Sequence, residues 1–222
     1  MSSLLAEERK LWLTGCSTLL SVLIATGLLS LATRSRAGWN FTSAGRDVKL
    51  ACVASVLCLP TVFLVQAIVV QIPGMQYEHP LLRFLFDNPS PRLWMALGFT
   101  AIIVAPIAEE FFFRRLLQGW LEAKLIKRHE QLRQADDEQP SLPTTVEQRL
   151  PLQMACLPIL GSSTLFSAAH FNHGGGWIAI FVLALGLGLL YHKTHRLLPC
   201  ILLHMALNTA SLTMAYFGTQ IS

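Results

Sequence analysis

Six side chains in this sequence have the types and spacing of a hydrolytic site: Glu109, Glu110, Arg114, His170, His204 and Asn208. Residues four apart share a helix face, so Glu110 and Arg114 can pair. Pairing partly neutralises a buried charge and braces the helix. Glu109 lies about 100° round the same helix and is free to point elsewhere. Phe166 and His170 stand four apart, as do His204 and Asn208. A carboxylate can deprotonate water, and an imidazole can orient that water or bind a metal. A second imidazole and a carboxamide can donate hydrogen bonds to a developing oxyanion. Each piece also has a structural reading. The glutamates can end an apolar span in a wet interface, His170 can be an interface residue, and His204 with Asn208 can be a hydrogen-bonding pair between helices. One carboxylate, two imidazoles and one amide on three helices favour chemistry over three separate coincidences.

These groups sit in membrane-like surroundings. Apolar residues make up 53% of the chain and charged residues 14%, against about 25% charged in soluble domains. The expected fold is an all-α polytopic transmembrane bundle of about six spans, at 11–33, 50–72, 92 to beyond Trp120, 152–171, 177–191 and 197–217. Residues 1–91 hold two spans and an interfacial connector whose 81–86 piece reads as a short helix. Residues 92–222 form the candidate catalytic core, with a soluble loop at about 125–151. A charge at the bilayer centre costs roughly 2.5–3.5 kcal/mol, so Glu109 and Glu110 need a reason to be there. Gly186 and Gly188 are small residues that let helices approach.

Several chemistries are disfavoured. There is no H-E-x-x-H for a helical zinc site and no aspartate inside any span. Ser162, Ser163 and Ser167 lack a nucleophile motif. The net charge of +4 comes without basic runs interleaved with aromatics, so nucleic acid is not an expected partner. Cys16, Cys52, Cys58, Cys156 and Cys200 are odd in number and contain no C-x-x-C pair, which fits small buried hydrophobes rather than disulfides.

Basic turns at 34–49, 114–149 and 193–196 alternate with nearly neutral ones at 73–91 and 172–176. The positive-inside rule then puts the basic turns in the cytoplasm and both termini outside. That orientation creates a tension. His204 lies near the cytoplasmic side, His170 near the outer end of its span and Glu109 between them. They meet only if the fourth helix is shortened or bent, at Pro158 or Gly161, or if the glycine turn after it is buried. A Glu109 carboxylate more than about 12 Å from both imidazoles, well beyond one bridging water, would dissolve the site.

The motifs resemble those of the CPBP intramembrane proteases, which include the type 2 CAAX prenyl proteases and bacterial Abi-like proteins. The E-E-x-x-x-R pattern is Glu109-Glu110 to Arg114, F-x-x-x-H is Phe166 to His170, and H-x-x-x-N is His204 to Asn208. Ala105-Pro106, Gly186-Leu187-Gly188, Arg196 and Pro199 match in context. The resemblance covers roughly 92–217 and implies an intramembrane endopeptidase, multi-pass in the plasma (inner) membrane, acting on a membrane-embedded or membrane-proximal protein or peptide. It implies Glu109 as the base that activates water, Glu110 and Arg114 as the brace, His170 as a holder of water, and His204 with Asn208 as oxyanion donors. Such enzymes have been described both as metalloproteases and as glutamate-type proteases. Zinc held by Glu109, His170 and His204 and a metal-free mechanism both remain open. A non-enzymatic immunity or assembly factor on the same scaffold is the alternative. A carrier of small solutes or metal ions would call for inverted-repeat halves, and none is visible.

Overall fold

In lipid every backbone polar group must find its partner within the protein, so apolar spans fold as helices. The computed structural model is all-helical over the residues it describes: 2–33, 42–75, 90–136, 150–172 and 174–221. Six helices follow in order. Helix α1 is Ser2–Thr33 and α2 is Ala44–Val69. Helix α3 runs without a break over 91–136 and changes pitch along its length. Helix α4 is Leu152–Ala168, α5 is Gly176–Thr194 and α6 is Leu197–Ile221. Five of the six are long and apolar enough to cross a membrane; α4, with 17 residues, is apolar but shorter.

Two expectations change. Residues 125–136, read as the start of a soluble loop, continue α3 as helix. Alanine, leucine, lysine, arginine and glutamine there are good helix formers, and no glycine or proline stops them. The rest of that loop and the 81–86 connector piece lie outside the described residues. The fourth span ends at Ala168 and stays one helix through Pro158. It is therefore short, and His170 sits in the turn that follows it.

Helices α2, α4 and α6 pack around α5, and α1 flanks the first half of α3. The main core joins Val62 of α2, Phe111 of α3, Leu183 and Leu187 of α5, and Leu203 and Leu207 of α6. Close approach is built into α5. A Cβ at Gly186 would stand 2.9 Å from the Cys58 sulfur, and one at Gly188 would stand 3.0 Å from Ile159. The turn before α5 uses Gly174 at φ +57°, a conformation that suits glycine. Cys200 is buried, but Cys16, Cys52 and Cys156 lie on the outer surface of the bundle, so burial describes only part of the cysteine set.

Asp47, fully buried at the start of α2, is clasped by Arg196 at the start of α6. Arg196 Nε donates to Oδ1 at 2.7 Å, and Nη2 donates to Oδ2 at 2.5 Å. The fork geometry of guanidinium on carboxylate fixes direction as well as charge.

Candidate active site

The site begins with a proline. Pro106 has no N–H, and its ring crowds the carbonyl four residues back. The chain answers with a wider turn: residues Phe99–Val104 are π-helical, and Ala105 N–H donates to Thr100 O, five residues back. Ala101 O thereby loses its α-helical partner at Ala105, and Pro106 cannot supply the π-helical one. Asn208 of α6 fills the gap, donating from Nδ2 to Ala101 O at 2.7 Å. A second π-helical stretch, Phe111–Gln118, follows the short α-helical segment Ala105–Glu110. Such wide turns recur at functional sites. Here they flank both glutamates.

The two glutamates diverge. Glu110 is fully buried and accepts from Arg114 Nε at 3.1 Å. Arg114, also fully buried, donates through Nη1 to Ser162 Oγ on α4 at 2.7 Å. Its guanidinium lies 5.4 Å from the centre of the Phe166 ring, a cation–π contact. Glu110 holds a second partner. His204 Nδ1 lies 3.0 Å from its Oε1, and because an ionised carboxylate only accepts, Nδ1 carries the proton. That turns the other ring nitrogen of His204 toward Glu109.

Glu109 faces a cavity of about 620 Å³, which is also lined by His170, His204, Asn208, Phe166 and Gln66. Its Oε1 lies 3.9 Å from His170 Nε2, and its Oε2 lies 3.8 Å from His204 Nε2. His170 Nδ1 donates to Phe166 O at 2.8 Å, so its Nε2 is the nitrogen presented to Glu109. Phe166 stacks on His170 with centroids 5.0 Å apart and meets His204 edge-on at 5.7 Å. One aromatic ring therefore sets both imidazole planes. The distances are far inside the 12 Å limit, because α4 ends early and leaves His170 at the depth of Glu109.

A family model described as type II CAAX prenyl endopeptidase, Rce1-like, matches residues 91–210, more than half of the chain. The chain belongs to this Rce1-like family. Comparison with curated proteins gives no match, and neither does comparison with solved structures. The Rce1-like stretch holds all six predicted site residues, while Gln66 and the Asp47 clasp come from α2, before it. Family membership implies protein substrates.

Three features of this Rce1-like site have no plain mark in the sequence. Ser162 is a partner of Arg114, not a spare hydroxyl. Glu110 serves His204 as well as Arg114. Asn208 is anchored to the backbone of α3. Pro106 was the available signal for the last, since a proline inside a helix orphans a carbonyl. For zinc, the donor types at Glu109, His170 and His204 are suitable. Among the described residues, however, the trio of ligand atoms that converges within 4.8 Å is Glu122, His192 and His195. An ion at Glu109 would need its three groups drawn closer together.

Proposed function

We propose that this protein is an intramembrane endopeptidase of the plasma (inner) membrane that hydrolyses peptide bonds with water activated by Glu109. The observation that carries the reading is the pair of gaps, 3.9 and 3.8 Å, between the Glu109 carboxylate and two imidazoles oriented by other groups. A water about 2.8 Å from each partner fits at the apex of the gap between Glu109 Oε1 and His170 Nε2. It donates one hydrogen to the carboxylate and the other to the ring nitrogen. Its lone pairs then face the cavity.

The chemistry follows from that placement. Glu109 takes a proton as the water oxygen bonds to the scissile carbonyl carbon. The carbonyl oxygen becomes an oxyanion, which takes hydrogen bonds from the second Asn208 N–H and from His204 Nε2–H when that ring carries both protons. Glu109 returns its proton to the leaving amine as the C–N bond breaks. Glu110, Arg114 and Ser162 hold His204 in register without touching substrate. The half-exposed mouth around Glu109, with a side chain 27% accessible, admits an extended peptide. Zinc would add Lewis acidity if Glu109, His170 and His204 closed on it.

Glu109→Gln keeps the shape and removes the base, so it should trap substrate. In a proteomic comparison of membranes carrying wild-type protein and Glu109→Gln, membrane-proximal peptides should accumulate on the variant. Equal recovery from both, with no cleavage by wild type, would favour the non-enzymatic scaffold.

A further inference from the structure

In the second half of α3 lies a second polar cluster that the catalytic site does not use. Glu122 of α3 is 1% exposed and His192 of α5 is 7% exposed. His195 joins them from the link between α5 and α6. Glu122 stands thirteen residues beyond Glu109, about three helical turns further along α3. The two sites share no residue.

The separations within the cluster are those of ligands around an ion. His192 Nδ1 lies 3.4 Å from Glu122 Oε1, and His195 Nδ1 lies 3.8 Å from Glu122 Oε2. Charge-assisted N–H···O bonds are about 2.7–2.9 Å, so both separations are too long for direct imidazolium–carboxylate pairing. Glu122 Oε2 and His192 Nδ1 are buried and have no hydrogen-bond partner among the described residues. Leaving either unpaired costs about 1–3 kcal/mol. By contrast, ligands at about 2.0–2.2 Å in a tetrahedron stand about 3.3–3.6 Å apart. All three ligand atoms lie within 4.8 Å of one another.

Two further features aim the set. Gln118 Nε2 donates to Glu122 Oε1 at 2.9 Å and to Gly188 O at 2.8 Å. The carboxylate is thus fixed with Oε1 beside His192 and Oε2 beside His195, an outer contact typical of metal-bound carboxylates. His195 has φ +49°, and it is the one non-glycine with positive φ among the described residues. This left-handed step caps α5, with His195 N–H donating to Tyr191 O at 2.6 Å. It also swings the imidazole back beside that of His192, at a centroid distance of 6.1 Å.

We infer that Glu122, His192 and His195 form a binding site for a divalent transition-metal ion, zinc being the best fit, which ties the second half of α3 to the α5–α6 link. Two imidazoles and a carboxylate suit zinc, and the part-exposed His195 edge leaves a fourth position for water. The ion neutralises the carboxylate and satisfies both buried orphan atoms at once.

The test uses the full chain in detergent, stripped with chelator and titrated with Co²⁺. Wild type should take up one equivalent with the visible absorption of a four-coordinate ion, and Zn²⁺ should displace it and raise the melting temperature. Glu109→Gln should behave like wild type. Glu122→Gln and His195→Gly should lose the signal and the zinc-dependent rise. His195→Gly is a mild change to the fold, because glycine takes the left-handed conformation freely. Absence of a stoichiometric signal in wild type, its persistence in either ligand variant, or its loss in Glu109→Gln would overturn the assignment.

Discussion

Glu110 is the residue on which the site's order depends, although Glu109 is the proposed base. Its carboxylate is fully buried and shared between Arg114 and His204. Removing one member of a buried pair leaves an uncompensated charge and costs about 3–5 kcal/mol. Arg114→Ala should therefore lower the unfolding midpoint in detergent by that equivalent. Arg114→Lys should recover only part, because one ammonium cannot serve Glu110 and Ser162 in the fork that Arg114 uses. Asn208→Ala should reduce kcat by ~10²–10³, the usual effect of losing one oxyanion donor, as measured by steady-state peptide cleavage. The pairing of Glu110 with Arg114 and the different facing of Glu109 were legible in the sequence, since spacing along one helix decides them. The tie from His204 to Glu110 was not, because the residues lie 94 positions apart and only packing brings them together.

At the scale of elements, α3 carries the design. Its two π-helical stretches, Phe99–Val104 and Phe111–Gln118, set the facing of Ala105–Glu110 between them. Pro106→Ala would return an N–H able to bond Ala101 O, in competition with Asn208. The variant should be at least as stable as wild type, since interior proline costs about 3 kcal/mol in a helix, yet cleave more slowly. Paired melting and turnover measurements check this, and a parallel fall in both would contradict it. Six helices could be read from hydropathy, and the continuation of α3 beyond Trp120 from the lack of a breaker. The π-helical turns could not, because one extra residue per turn leaves no periodic trace in a short apolar run. The early end of α4 was equally hidden: no glycine or proline stands between Gly161 and Phe171 to mark a stop after Ala168, and the glycine turn beyond it docks on the bundle. A Cβ at Gly175 would strike the Met75 backbone, which shows how closely that turn is seated.

At the scale of the whole molecule, the bundle is a multi-pass membrane protein. Asp47–Arg196 and the Glu122–His192–His195 cluster both lie at the links that the positive-inside rule assigns to the cytoplasm. Single cysteines at Lys193 and Gly174, in a background lacking the five native ones, should label from opposite sides of intact cells. Labelling of both from the same side would reverse or break the proposed topology. The proposed orientation rests on the alternation of charged and neutral links in the sequence, whereas the depth of His170 required the fold. The central claim remains that Glu109 activates the attacking water. Its most direct test is the turnover of a membrane-anchored peptide by purified wild-type protein and by Glu109→Gln, with both shown to be folded by their melting temperatures. Loss of ~10²–10⁴ in kcat, the span of general acid–base catalysis, is the predicted result; turnover within a few-fold of wild type would contradict it.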